Sequence, residues 1–360
     1  MKKRVLIALA IMSIMGMMCS CQTGAAQNSV VSQSGVEVSQ TSESDEKKID
    51  EVMAGYDFSG FMAVVKNGEC IYAKDFNQAL DGQELTSDTV FRIGSDTKQF
   101  TAAGIMLLQQ KGRLSVKDTL DKYFPEYSYG REITIHDLLD MHSGLDDYSN
   151  HFGDLGLTDN AEKNKENILK YMLEAEPINE PKEVFTYNNG NYFLLATIIE
   201  KVSGMAFEEY LTENIFKPLG MDSTSLYKDY EKDGAVIAKP LHPTGAEDYF
   251  NMPGVTFGSG NVMSSAGDLM KWLKVFEGGS ILSDESIEAM TASYSNEDDM
   301  YEYGYGWFIS SEGIYHGGNL SEYAAMIFTS PKDKNSIILL SNQNAALLSN
   351  ISTSVRYEIF

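Results

Sequence analysis

The order of strand-like and helical segments along the chain most strongly constrains its fold. Two apolar runs joined by Asn67-Gly68, in FSGFMAVVKNGECIYAKDF, predict a β-hairpin near the start of the folded part. Strand-like segments return near the end, in YGYGWFISS, SEYAAMIFTSP and NSIILLSNQN. Residues from about 110 to 250 carry helical patterns and long loops instead. This order predicts one sheet built from both chain ends, a second lobe that is mostly helical, and a cleft between them.

The first residues have the pattern of a secretion signal. A basic stretch, KKR, precedes an apolar run over residues 5–18, which is too short for a comfortable membrane span. The run ends at MMCSC, which makes Cys21 a candidate for lipoprotein cleavage and lipidation, with ordinary secretion as the alternative. We therefore predict a signal peptide over residues 1–20 and a flexible tether over residues 21–43. The predicted location is extracytoplasmic, either secreted or anchored to the cell membrane by lipid.

Composition excludes several kinds of partner. Residues 44–360 suffice for one large domain or two closely packed lobes. The formal net charge of −24 repels polyanions, so no nucleic-acid partner is expected. The five histidines are scattered and none forms His-x-x-x-His, so neither a metal site nor a cofactor is predicted. The oligomeric state is left open.

The sequence over residues 95–98, Ser-Asp-Thr-Lys, has the most chemical content. Ser95 and Lys98 lie one turn apart on one side of a helix, and a lysine kept neutral could take the serine's proton. The same spacing occurs in the charged stretch SESDEKKID and the polar loop STSLYKDYEKD. Only Ser95 follows a strand-like run with a glycine hinge and leads into a long apolar helix. From spacing and context, an activated nucleophile and an ordinary serine-capped helix start remain equally open.

Two further patterns gain meaning from their positions. Tyr-x-Asn occurs four times and His-x-Gly three times, so neither is specific alone. Tyr187-Asn188-Asn189 lies just before GNYFLLATIIEKVSG, a helix that could anchor it. The triplet that begins at His316 lies between two late strands, where a sheet edge could line a cleft.

The chain resembles the serine β-lactamase-related family, which includes class C β-lactamases, DD-carboxypeptidases, D-aminopeptidases and related esterases. The resemblance runs from about residue 56 to the C-terminus, in the family's order. It rests on seven segments: FRIGSDTKQFTA, ITIHDLLDMHSGLDDY, FTYNNGNYFLLATIIEKVSG, FKPLGMDST, FGSGNVMSSAGDLMKWL, YGYGWF and YHGGN. It implies an α/β (α+β) fold, with an antiparallel sheet flanked by helices plus a mostly helical lobe, and a single hydrolase domain over residues 44–360.

The resemblance also implies a role for each matching residue. Ser95 would be the nucleophile and Lys98 its base. Tyr187 would ionise easily near two cations and pass the proton to the leaving group. Asn189 would hydrogen-bond Lys98 and the substrate.

The triplet that begins at His316 and the residue after it complete the implied site. His316 and Gly318 would line the substrate on the strand edge, and the N–H groups of Ser95 and Asn319 would form the oxyanion hole. Where β-lactamases and many DD-peptidases have Lys-Thr-Gly or Lys-Ser-Gly, this chain has His-Gly-Gly. Because His316 is mostly neutral at pH 7 unless its pKa is raised, we expect weaker recognition of substrate carboxylates.

Nearby polar and aromatic residues have plainer interpretations. His142 is expected to be structural, and the adjacent Asp146 and Asp147 suggest a metal site only superficially. The tyrosines and tryptophan at alternate positions in YEYGYGW are expected to form one face of a sheet.

The predicted function is a secreted serine hydrolase that cleaves amide or ester bonds through an acyl-enzyme on Ser95. The favoured substrates are D-amino-acid-containing or peptidoglycan-derived peptides, as for DD-carboxypeptidases and D-aminopeptidases. A promiscuous esterase and a true β-lactamase are alternatives. A catalytically silent binder or sensor of wall peptides is an alternative of another class.

Overall fold

The computed structural model describes most of the chain outside its N-terminal segment. The described residues are 30–31, 37–38, 43–78, 82–226, 236–242, 248–343 and 347–360. The predicted signal peptide and Cys21 lie outside them. Within the predicted tether, two short strands are described and pair antiparallel. No helix among the described residues has the length and apolar character that crossing a bilayer requires.

Strands and helices are numbered here in chain order. The strands are β1 Val30–Val31, β2 Glu37–Val38, β3 Gly60–Lys66, β4 Glu69–Asp75, β5 Val90–Arg92, β6 Ser225–Leu226, β7 Val262–Ser265, β8 Glu302–Tyr303, β9 Phe308–Ser310, β10 Gly313–Asn319, β11 Ala324–Ser330 and β12 Asn335–Ser341. The α-helices are α1 Glu43–Met53, α2 Thr97–Gln110, α3 Ile135–Leu139, α4 Ala161–Glu174, α5 Asn189–Ser203, α6 Phe207–Leu211, α7 Lys217–Leu219, α8 Ala266–Leu273, α9 Asp284–Thr291 and α10 Leu348–Ile359.

The main sheet has seven antiparallel strands in the order β4-β3-β12-β11-β10-β9-β8. Because β3 and β4 come from the start of the folded chain and the other strands from its end, the prediction of one sheet built from both ends is confirmed. The predicted hairpin is also present. Asn67 and Gly68 have φ values of 55° and 83°, the positive values that a two-residue turn of this kind needs.

Both faces of this sheet are buried. Successive side chains of a strand point to opposite faces. In β3, Phe61 and Ala63 face the core shared with the helical lobe, whereas Met62 and Val64 face the core under α1 and α10. The two cores together explain the continuous apolar run in β12, because a strand buried on both faces needs apolar residues at every position.

The helices that share a core with Phe61 and Ala63 are organised around α2 and α5, which pack against each other. Residues 97–108 of α2 are all buried. A Cβ on Gly104 would lie 2.9 Å from the Ile199 side chain, so the two helices approach closely at this glycine. The Asn188 side chain caps α5 by accepting the Asn191 N–H at 3.2 Å. This packing brings the N-termini of α2 and α5 together, so that Lys98 and Asn189 are in contact.

One segment with a helical pattern is mostly turns. VKDTLDKYF contains only a 3-10 turn over Leu120–Lys122. The Asp118 carboxylate accepts hydrogen bonds from the Ser115 N–H, the Lys122 ammonium and the Tyr123 hydroxyl. Such local bonds between side chains and backbone compete with a regular helix, which accounts for the difference.

Candidate active site

Ser95 lies in a tight turn between a strand and a helix. β5 is held in a three-stranded sheet of order β5-β7-β6 and ends two residues before Gly94. Gly94 has a φ of 52°, and a Cβ there would lie 2.9 Å from the Asn319 nitrogen. Glycine is therefore needed both for the left-handed backbone and for the close approach of β10. The turn places Ser95 two residues before the start of α2, as the strand–turn–helix pattern predicts.

Lys98 is fully buried and directs its amine at three oxygen atoms. Its Nζ lies 3.1 Å from Ser95 Oγ, 2.9 Å from Asn189 Oδ1 and 2.9 Å from the Ser259 carbonyl oxygen. Burial lowers the pKa of Lys98 to about 7, against the opposing effects of Asp147 and Asp96. Near neutral pH a substantial fraction of the amine is therefore unprotonated, and its lone pair can accept the Ser95 proton.

Asp147 fixes the orientation of Asn189. Its Oδ2 accepts hydrogen bonds from the Asn189 backbone N–H at 2.9 Å and from the side-chain Nδ2 at 3.2 Å. Because Nδ2 donates to Asp147, the amide oxygen is the atom that faces Lys98. The sequence suggests for Asp147 only a metal-ligand role, which is not favoured. Nothing in the sequence indicates its contact with Asn189, which lies 42 positions away. The Ser259 carbonyl was also missed, because a backbone acceptor has no side-chain signature.

Tyr187 packs directly over the amine. Lys98 Nζ lies 4.7 Å from the centre of the Tyr187 ring, and the ring stacks on Phe308 at 6.2 Å. Burial raises the pKa of the Tyr187 phenol, an effect that a hydrogen bond with the Ser95 side chain only partly offsets. The phenol is therefore protonated at neutral pH, in contrast to the easy ionisation expected from the sequence. It is suited to donate a proton to a leaving group.

His316 occupies β10 and is 1% exposed. Its Nδ1 lies 2.9 Å from the Gly317 carbonyl oxygen and its Nε2 lies 3.1 Å from the Tyr303 hydroxyl. Burial, assisted by the nearby Lys98 charge, lowers the pKa of His316 to about 3. A neutral ring that donates from Nδ1 to the carbonyl accepts the Tyr303 hydroxyl at Nε2, so both nitrogens have partners within the protein.

β10 presents a backbone N–H toward the Ser95 turn. Leu320 N–H donates to the Tyr323 carbonyl at 2.8 Å, so that facing pair is of the hydrogen-bonded type. The next pair, Asn319 with Ala324, is then of the other type, and the Asn319 N–H points away from β11. β9 pairs with β10 only as far as Tyr315 and leaves that side open. The contact of Asn319 with Gly94 places this N–H beside the Ser95 turn, where the oxyanion hole was predicted.

The match with known proteins agrees with this arrangement. The Beta-lactamase family model matches residues 46–352. The chain belongs to the β-lactamase family. The resemblance inferred from the sequence is confirmed, and the family makes the protein a serine hydrolase.

Individual similar proteins and solved structures cover most of the chain. The provisionally named penicillin-binding protein PbpX of Bacillus subtilis (strain 168) is 29% identical over 317 residues, covering 86% of this chain and 77% of the relative. The octameric penicillin-binding protein homologue from Pyrococcus abyssi is 31% identical with a TM-score of 0.71, covering 86% of this chain and 75% of that one. The D-amino acid amidase from Ochrobactrum anthropi SV3 has a TM-score of 0.73, and the match covers 88% of this chain and 97% of the amidase chain. The two sequences are only 20% identical. This last likeness shows the shared fold, and the predicted α/β fold class is confirmed.

Other polar groups near the family's catalytic residues are paired among themselves. His142 lies between Asp140 and Asp299, and His151 pairs with Asp146 at 2.8 Å. Among the described residues, no group of three or more histidine, cysteine or acidic side chains is arranged to hold a metal ion.

The aromatic residues at alternate positions from 301 to 307 do not form a single sheet face. Tyr303, Tyr305 and Trp307 are buried, whereas Tyr301 is 49% exposed. Tyr303 lies in β8 and Tyr301 just before it, whereas Tyr305 and Trp307 lie between β8 and β9.

The pKa of Lys98 leads to a prediction about pH dependence. The rate of Ser95 acylation should rise with pH and level off above about pH 7, because the neutral amine is the active form. Asp147→Asn should move the midpoint to lower pH, since Asp147 stabilises the charged amine. The second-order rate of reaction with a neutral p-nitrophenyl ester measures both effects. A flat profile between about pH 5 and 9 would show that Lys98 is not the base.

Gly318 is predicted to be essential because of packing. A Cβ at this position would lie 1.7 Å from the Ile93 carbonyl oxygen, so Gly318→Ala must push β10 away from the Ser95 turn. We expect a loss of about 1–3 kcal/mol in the free energy of unfolding together with a large loss of activity. In the control Gly317→Ala, the new Cβ meets nothing closer than 3.6 Å, and the change in stability should be within about 0.5 kcal/mol. Urea unfolding and ester hydrolysis of the two variants test this difference, which equal behaviour would contradict.

Proposed function

We propose that the protein hydrolyses small amides or esters through an acyl-enzyme on Ser95. The observation that carries this proposal is the buried Lys98 amine, 3.1 Å from Ser95 Oγ with a pKa lowered to about 7. A lysine with only a structural role would not need a pKa lowered toward neutrality beside a hydroxyl group. The arrangement supports proton abstraction from serine, as a nucleophile without a histidine base requires.

The acylation half of the reaction follows from the positions of these groups. Lys98 takes the Ser95 proton as Oγ bonds to the substrate carbonyl carbon. The N–H groups of Ser95 and Asn319 stabilise the oxyanion. The Tyr187 phenol then donates its proton to the leaving nitrogen or oxygen as the bond to carbon breaks, and Lys98 returns a proton to the phenolate.

Deacylation reverses these proton movements with water in place of the leaving group. Water attacks the acyl carbon while Tyr187 and Lys98 relay its proton toward Ser95 Oγ. The ester bond breaks and the carboxylic acid product is released. Asn189 hydrogen-bonds Lys98 throughout, so the amine keeps its direction while its charge changes.

The neutral His316 favours substrates without a carboxylate beside the reacting bond. Both of its ring nitrogens are already bonded to Gly317 and Tyr303, and its pKa is far below neutrality. An acyl-D-Ala-D-Ala carboxypeptidase or a β-lactamase would need to recognise such a carboxylate. We therefore favour D-amino acid amides and peptides cleaved next to a D-residue, with simple esters as weaker candidates. The D-amino acid amidase that shares this fold makes those amides the first substrates to test.

The proposed location is outside the cytoplasm. It rests on the basic and apolar start of the chain and on Cys21 as the residue that would be lipidated. A lipid on Cys21 would attach the enzyme to the membrane surface, where wall-derived peptides are available. Secretion without a lipid is the alternative.

Two active-site probes test the proposed chemistry. A fluorescent fluorophosphonate should label the wild-type protein and not Ser95→Ala, and should react faster than a fluorescent penicillin. Turnover of matched D- and L-amino acid amides then ranks the substrates. If neither probe labels the wild type, the protein is not a serine hydrolase acting through Ser95. Labelling of Ser95→Ala would assign the nucleophile elsewhere.

The role of His316 in carboxylate selection gives a separate prediction. His316→Lys should raise the rate of penicillin acylation about tenfold, since a cation there can pair with the penicillin carboxylate; tenfold corresponds to roughly 1.4 kcal/mol. The control His316→Gln keeps the position neutral and should not raise that rate. The measurement compares penicillin with a neutral ester for each variant. An equal change for both substrates would rule out carboxylate recognition as the cause.

A further inference from the structure

The segment that carries Tyr187 is irregular and depends on neighbouring segments for its shape. On one side, Lys182 N–H donates to the His142 carbonyl at 2.7 Å and Thr186 N–H donates to the Met141 carbonyl at 2.9 Å. These bonds tie residues 182–186 to the segment that follows α3. They do not include the N–H of Phe185, which lies two residues before Tyr187.

Asp299 supplies that second attachment. Its Oδ1 accepts the Phe185 N–H at 3.0 Å, and its Oδ2 accepts the Asn296 N–H at 2.6 Å. Oδ2 also lies 2.9 Å from His142 Nε2. A single carboxylate therefore joins the Tyr187 segment, the segment before β8 and the segment that follows α3.

The opposite charges on His142 and Asp299 strengthen this attachment. The His142 and Asp299 side chains are 2% and 5% exposed. Burial opposes a charge on His142, but its contacts with Asp140 and Asp299 outweigh burial and raise its pKa to about 9. The Phe185 N–H and His142 likewise outweigh burial and lower the pKa of Asp299. At neutral pH the result is a buried ion pair, and breaking such a pair is strongly unfavourable.

We propose that Asp299 is a positioning residue for Tyr187, which holds the phenol where it can protonate the leaving group. The proposal rests on the acyl-transfer function above. The Phe185 N–H bond fixes the backbone just before Tyr187, whose ring must stay on Lys98 and beside Ser95. A small displacement of a proton donor lowers the rate steeply, because proton transfer needs hydrogen-bond distance.

The choice of leaving group separates this role from a general structural one. An amide nitrogen must be protonated to leave, whereas p-nitrophenolate leaves without a proton. In the acylation step, the effect of Asp299 should therefore appear with an amide and nearly vanish with the p-nitrophenyl ester of the same acyl group. The later water step, in which Tyr187 also takes part, is common to both substrates, so the ester is followed by its first burst of p-nitrophenolate. General loosening of the fold would slow both substrates equally.

The experiment uses Asp299→Asn in the full-length protein, with Asp298→Asn as the matched control. Asparagine keeps the shape but has one acceptor oxygen where three donors converge. Asp298 is an exposed neighbour, so its variant should behave as the wild type does. We expect Asp299→Asn to lower kcat on an amino acid amide about 10- to 100-fold, with less than about threefold change in the p-nitrophenolate burst rate of the ester or in KM for the amide.

A second measurement tests whether Asp299 acts through Tyr187. In a Tyr187→Phe background, Asp299→Asn should have no further effect on amide hydrolysis, because the proton donor is already absent. Equal losses on amide and ester, or an undiminished effect in Tyr187→Phe, would overturn the proposal. Fluorophosphonate labelling of the wild type distinguishes a failure of the proposed function from a failure of the positioning role. If it fails, the proposed function is wrong, and if it succeeds with no amide-selective loss in Asp299→Asn, only the positioning role is wrong.

Discussion

The buried amine of Lys98 is the interaction on which the rest of the site depends. A fully buried lysine is normally unfavourable, and it is tolerated here because each direction around Nζ meets an oxygen from a different part of the fold. Burial moves its pKa down toward neutrality, and Asp147 and Asp96 limit that movement. Both the charged and the neutral form of the amine are therefore populated near neutral pH.

The fold maintains this balance through close backbone packing. Gly94 and Gly318 allow β10 to lie against the turn that carries Ser95, with no space for a side chain at either position. The sheet that contains β10 is buried on both faces, so its strands cannot slip by one residue without exchanging the two cores. Ser95, Lys98 and the Asn319 N–H are consequently held together by packed elements of the fold.

Acidic side chains outside the reacting set hold the remaining parts in place. Asp147 turns the Asn189 amide toward Lys98, and Asp299 attaches the Tyr187 segment to His142. Asp96 is of a different kind: burial raises its pKa, and among the described residues its Oδ2 has no hydrogen-bond partner. The strongly acidic composition of the chain thus includes carboxylates with defined positions inside the protein as well as a solvated surface.

Features that depend on local spacing and on the order of elements could be predicted from the sequence. The Asn67-Gly68 turn, the sheet from both chain ends and the Ser95–Lys98 pair could all be predicted from residues close together or from strand patterns. The pKa values and the contacts between residues distant in the sequence depend on how the chain packs. The neutral state of His316, the protonated phenol of Tyr187, the orientation of Asn189 and the attachment made by Asp299 depend on burial and on distances through space. The helical pattern in VKDTLDKYF failed for a related reason, because the bonds of the Asp118 side chain decided the local structure.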